Sequence, residues 1–178
     1  MAPNFKHGPL LFVGICVLVC PLFHSSCHEE PDKLPPVTME GKNTFGCLIN
    51  GKIFVPNGPL GQPGLHAEIS SHADTVTLII YASNTATKKV LNVAIYDTPT
   101  LQAGKVYDLK NSTAQVQYID YENSKSCTYD SVEEGYITLS KFELTESIIS
   151  GTFQIRLLRN NCTDVIDVRQ GRFDTRIN

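Results

Sequence analysis

The sequence predicts one all-β domain, a single antiparallel β-sandwich or open barrel of about nine short strands. Three observations predict it. Beyond residue 43, apolar residues recur with a period of two in short runs, and turn-forming residues separate those runs. No helical apolar period of useful length crosses the same region.

The chain's first element stands outside that domain. Lys6 and His7 precede an apolar run of about 14 residues, Leu10 to Phe23, and Ser25-Ser26 follow it. The run fits the ~7–15-residue core of a secretory signal and falls short of the ~18–20 residues that span a bilayer. Pro21 near its end disfavours an uncleaved anchor helix, because proline breaks a helix interior. Residues 1–26 are therefore expected to be removed on export, leaving about 150, a single-domain length able to bury a core. Residues 28–43 (HEEPDKLPPVTMEGKN) are charged and proline-rich, with little to bury. Pro35-Pro36 favours an open, stiff backbone, so residues 27–43 are expected to form a tether and 44–178 the domain.

Within the domain, Phe45, Cys47 and Ile49 alternate, and Asn50-Gly51 supplies the two positive-φ positions of a type I′ hairpin turn before Ile53 to Val55 return. That register sets Cys47 opposite Phe54, on the face of Phe45, and so predicts that it is buried. Asn57 to Gly64 is a loop. Its prolines lack the N–H donors of a phosphate cradle, and no helix follows to add a dipole. Val76, Leu78 and Ile80 alternate next, then Leu91, Val93 and Ile95 up to Asp97-Thr98-Pro99. A short piece near Val106 to Leu109 leads to Ala114, Val116 and Tyr118. Ile149, Gly151, Phe153, Ile155 and Leu157 hold one face of a later strand, which is expected to pair with Tyr136 to Leu144 across Thr145 to Ser147. Apolar parity in the earlier strand changes from Ile137/Leu139 to Phe142/Leu144, which predicts a bulge near Ser140-Lys141.

The formal net charge is −3, and Lys and Arg are scattered, so no basic patch suggests nucleic acid. The absence of Trp argues against a carbohydrate-stacking platform, although tyrosine is able to serve as one. His66, Glu68, Ser70 and His72 would share one face of a strand, with Leu65, Ala67 and Ile69 on the other. A His and a Glu two apart are able to co-ligate a metal, which makes His66, Glu68 and His72 weak candidates. No third ligand is identifiable, and a solvent face of an amphipathic strand explains the stripe as well. The carboxylates Glu133-Glu134, Asp164/Asp167 and Asp174 would support acid–base work only if folding gathered them in a cleft. There is no Gly-x-Ser-x-Gly elbow and no His-Glu-x-x-His pair. No enzyme activity and no cofactor are expected. Asn111-Ser112-Thr113 and Asn161-Cys162-Thr163 match the glycosylation triplet, which matters only in a eukaryotic secretory route.

Of the six cysteines, Cys16 and Cys20 lie in the export segment. Hairpin geometry carries Cys127 and Cys162 towards the same end of the sheet, so a disulfide between them is expected. It would close a loop of about 35 residues, worth roughly 3–4 kcal/mol in the chain-entropy model. Pairing of Cys47 with either partner is the alternative.

Phe23-His24-Ser25-Ser26-Cys27, with small residues just before the cysteine, resembles a bacterial lipoprotein signal. The resemblance implies cleavage before Cys27 and acylation of its thiol and amino group, with several acyl chains giving a stable membrane anchor. His28-Glu29-Glu30 is similar to the tag that sends some Bacteroidetes lipoproteins to the cell surface. Thr44 to Lys52 (TFGCLINGK), Ile148 to Phe153 (IISGTF) and Gly171 to Asp174 (GRFD) resemble both ends of an uncharacterised Bacteroidetes lipoprotein family. That implies a cell-envelope location, with the outer membrane as the expected site, and a lipid anchor; the family carries no established activity, and the expected role is a binding or structural module whose protein or small-molecule partner the sequence does not identify. An envelope enzyme or metal-binding protein using the His66/Glu68/His72 face is the alternative. A carrier of a small apolar ligand is another, if the sheet closes into a hollow barrel.

Overall fold

The structure, a computed structural model, describes residues 32–59, 64–97, 99–111, 113–121, 127–158 and 165–177. Cys27, Cys162, Asp164 and the side chain of Cys127 lie outside the described residues, so the expected lipidation and disulfide fall outside them too.

Among the described residues, eleven strands form two antiparallel sheets. They are β1 (Thr44–Ile49), β2 (Lys52–Phe54), β3 (Leu65–His72), β4 (Thr75–Asn84), β5 (Lys89–Asp97) and β6 (Val106–Asp108), followed by β7 (Ala114–Asp120), β8 (Cys127–Tyr129), β9 (Ser131–Glu143), β10 (Ile148–Leu158) and β11 (Val165–Arg176). One sheet runs β2-β1-β11-β10-β9-β6 and the other β3-β4-β5-β7-β8. The two sheets pack face to face and do not close into a barrel, which settles the expected fold as a sandwich. The hollow barrel on which an apolar-ligand carrier depended is therefore absent.

The first hairpin follows from its turn residues. Asn50 and Gly51 both take positive φ, at 49° and 79°, and Cys47 stands opposite Phe54. The expected bulge is present: Ser150 pairs Lys141 while Gly151 pairs Leu139, leaving Ser140 as the extra residue.

The strand count exceeds expectation chiefly through β11, which lies between β1 and β10 in the middle of its sheet. Its buried residues change parity, from Ile166 and Val168 to Gly171 and Phe173, around Gln170 at φ 51°. That break hides the period of two. Two strand glycines there have a steric cause. Gly171 pairs with Phe153 and Gly151 with Phe173. A Cβ at Gly171 would meet the Phe153 ring at 2.5 Å, and one at Gly151 would meet the Phe173 ring at 2.6 Å. Each ring thus lies over a glycine on the neighbouring strand. Phe45 joins them, with its ring centroid 5.3 Å from that of Phe153, and Leu78, Leu91, Val93, Ile95 and Tyr118 line the facing sheet.

The compact unit begins ahead of the expected boundary at Thr44. Residues 35–43 lie against β1 and β11 as a strap. Arg172 Nη1 donates to the Pro35 carbonyl at 3.3 Å, and a Cβ on Gly46 would meet Pro35 Cδ at 2.6 Å. Only a glycine in β1 lets the strap approach that closely.

Candidate functional site

Asp174 closes the strap. Burial, to 1% exposure, favours the neutral acid, but five donors reverse that. Thr38 Oγ1 and the amides of Glu40 and Lys42 donate to Oδ2 at 2.6, 3.0 and 3.3 Å. The Gly41 amide and Ser150 Oγ donate to Oδ1 at 2.7 and 2.8 Å. Together they hold the carboxyl at about 2. Ser150 and Asp174 belong to the two sequence stretches noted at the end of the domain, so those stretches carry a buried polar clamp.

Of the other expected carboxylates, Glu133 and Asp167 meet cations. Arg156 stands in register with Glu134 on one side and Asp167 on the other, on the outer face of the six-stranded sheet. Arg156 Nε meets Glu133 at 2.5 Å, and Arg169 Nε meets Asp167 at 2.6 Å. Glu133 and Asp167 are thus paired with arginines on the surface rather than poised as an acid or base.

The polar stripe of β3 forms as expected. His66, Glu68, Ser70 and His72 face solvent, while Leu65 and Ala67 are buried. His66 Nε2 lies 3.4 Å from Glu68 Oε2. Among the described residues no three His, Cys, Asp or Glu side chains come together as a metal site. Cys47 is wholly buried, and burial pushes its thiol far above the usual range, outweighing the lowering effect of Arg172.

The stripe is one edge of a larger surface that the sequence did not single out. On the outer face of the five-stranded sheet, His66, Tyr81, Asn92 and Gln117 form one cross-strand row. Glu68, Ile79, Ala94 and Gln115 form the next, and Ser70, Thr77 and Tyr96 the one after. The small side chain of Ala94 makes a low point between larger neighbours. Around it lies a depression of about 450 Å³ that includes Tyr81, Asn92, Tyr96, Gln115 and Gln117, with Asp130 at its border. Tyr96 hydroxyl donates to Gln115 Oε1 at 3.2 Å, and Asn92 Nδ2 to Gln117 Oε1 at 3.5 Å. Asn92 Oδ1 is enclosed and receives no protein donor. A second depression, of about 520 Å³, shares Tyr81 and reaches Tyr121 and Lys88. The parity of Asn92, Gln115 and Gln117 against Leu91, Val93 and Val116 was legible, but only strand order shows that they are neighbours.

A groove of about 560 Å³ lies beside the strap, between Leu34, Pro35 and Pro36 and the side chains of Phe45, Val55 and Leu65. Lys33 and Arg176 also border it.

Residues 67–175 match the model of a family described as a domain of unknown function, DUF6252. The matched span contains the IISGTF and GRFD stretches and begins after TFGCLINGK. No curated protein and no solved structure matches the chain significantly.

Proposed function

The chain belongs to the DUF6252 family, and from its own residues we propose that it is an exported lipoprotein whose β-sandwich is a binding module of the bacterial cell envelope. In this reading residues 1–26 are removed, Cys27 carries the lipid, and the outer membrane of a Bacteroidetes cell is the site. The observation that carries the module reading is the outer face of the five-stranded sheet. It leaves Tyr81 on β4 39% exposed between two depressions, and Tyr121, just past β7, 49% exposed beside one of them. The sequence features of the first 27 residues support the anchor.

The strap sharpens the geometry of anchoring. A tether running to residue 43 would reach about 55 Å from Cys27 when extended. With Pro35 already held by Arg172, the free length is the eight residues from Cys27 to Pro35, about 28 Å at most. The module would then sit close against the membrane surface. Mass spectrometry of the mature N-terminus tests the anchor. Acylated Cys27 as the first residue is expected, and an unmodified Cys27 or cleavage elsewhere overturns the reading.

A further inference from the structure

The geometry points to a saccharide site on the outer face of the five-stranded sheet: the surface around Tyr81, Asn92, Tyr96, Gln115 and Gln117 takes a short, uncharged oligosaccharide. The inference rests on reading the domain as a binding module, and adds the class of its ligand.

Apart from Asp130 at its border, the polar groups of the depression are neutral and of both kinds. The Tyr96–Gln115 and Asn92–Gln117 contacts occupy the glutamine Oε1 atoms, which leaves the two Nε2 groups as donors. Asn92 Oδ1 is an enclosed acceptor without a hydrogen-bond partner beneath the depression, an unmatched group that a small turn of the amide would bring to a ligand. The tyrosine hydroxyls both donate and accept. A sugar hydroxyl also does both, so a mixed neutral set suits it better than any singly charged group. Phosphate or carboxylate ligands call for Arg or Lys forks, and none of these five residues is charged. A hard cation calls for several carboxylates, and this depression is lined by one, Asp130.

The aromatic part has the same logic. A tyrosine ring offers an apolar face to the C–H side of a pyranose while its hydroxyl stays wet, and fixing it costs only two side-chain torsions. Tyr81 stands between the two depressions and lines both. The Tyr121 amide bonds to the Lys88 carbonyl at 2.9 Å, which places Tyr121 beside the start of β5 while Tyr96 lies near its other end. Eight residue steps from Lys88 to Tyr96 span about 27 Å of strand. Such a track is longer than one sugar ring and suits an oligomer. A protein partner would favour a dry apolar centre, whereas the centre here is amide-rich.

Isothermal titration of the mature chain with malto-, cello-, xylo- and mannohexaose tests the inference, with hexagalacturonate as the charged control. Saturable binding of at least one neutral hexasaccharide is expected. Tyr81→Ala and Gln117→Ala should each weaken it about tenfold, a loss in keeping with one ring or one amide contact. Tyr136→Ala, at a tyrosine 42% exposed on the other sheet, should leave it unchanged. Thermal unfolding of each variant verifies that the fold is intact. No binding of any neutral hexasaccharide, preference for hexagalacturonate, or equal loss in Tyr136→Ala overturns the site. Chromatography of the bound sugar separates the two readings. Cleaved sugar keeps the saccharide site but ends the module reading, whereas absent binding with an acylated Cys27 ends the ligand class alone.

Discussion

Replacing Asp174 with Asn keeps the size of the side chain and removes the charge that holds the strap. One carboxylate oxygen becomes an NH₂. If that is Oδ1, it faces the Gly41 amide and Ser150; if Oδ2, it faces Thr38, Glu40 and Lys42. At least one backbone amide loses its acceptor in either case, and a hydroxyl must turn from donating to accepting. Hydrogen bonds to a charged group are worth about 1.5–3 kcal/mol each, and bonds sharing one carboxylate do not add in full. The expected loss is about 3 kcal/mol. With a urea dependence near 2 kcal/mol/M, the midpoint at pH 7 should fall by about 1.5 M. Its sign with pH is fixed as well. Burial raises the Asp174 carboxyl, the five donors lower it further, and the folded value of about 2 lies below the ordinary 3.8. A depressed acid stabilises the fold above its unfolded value and loses that contribution as pH falls through the folded one. The charge-dependent part, about 2 kcal/mol after solvent screening, is thus fully present above about pH 4 and fades towards pH 2. Urea unfolding followed by circular dichroism, on wild type and D174N at pH 7, 3 and 2, measures both effects. A midpoint shift under about 0.3 M at pH 7, or a gap that does not narrow in acid, would refute the clamp.

Other substitutions separate steric from conformational causes. Gly171→Ala drives a Cβ into the Phe153 ring at 2.5 Å and should cost about 2–3 kcal/mol in the same unfolding assay. Gly51→Ala meets nothing within 4 Å, yet its φ of 79° should still cost about 1 kcal/mol. Cys47 should resist iodoacetamide in the folded chain and react once urea unfolds it, as peptide mass spectrometry reads out. The Tyr107 hydroxyl accepts from the Gln102 amide at 2.8 Å and donates to Asp97 at 3.1 Å, fixing the loop before β6. Its acidity is pushed to about 12, chiefly by burial and also by Asp97, and Tyr107→Phe should lose about 1–2 kcal/mol.

Local chemistry was the legible part of this chain. Asn50-Gly51 identified its hairpin and the register of Cys47 against Phe54, and the parity change in β9 located the bulge to Ser140. Long-range pairing was not legible. In β11, the parity change around Gln170 hides the period of two, and so the sequence reading placed no strand there. Residues 35–43 looked too polar to pack, because their bonds are from backbone amides and Thr38 to one distant carboxylate. Asp174 itself looked like one more surface acid. The tyrosine and amide residues of the candidate site come from β4, β5 and β7, separated by turns, and only the order of strands makes them one surface.

Backbone-amide NMR of the mature chain, titrated with the tightest neutral hexasaccharide, tests the central claim most directly. The account predicts shift changes concentrated on β4, β5 and β7 around Tyr81, Asn92 and Gln117. Changes confined to the groove by Pro35 and Phe45, or to the face around Tyr136, would contradict it.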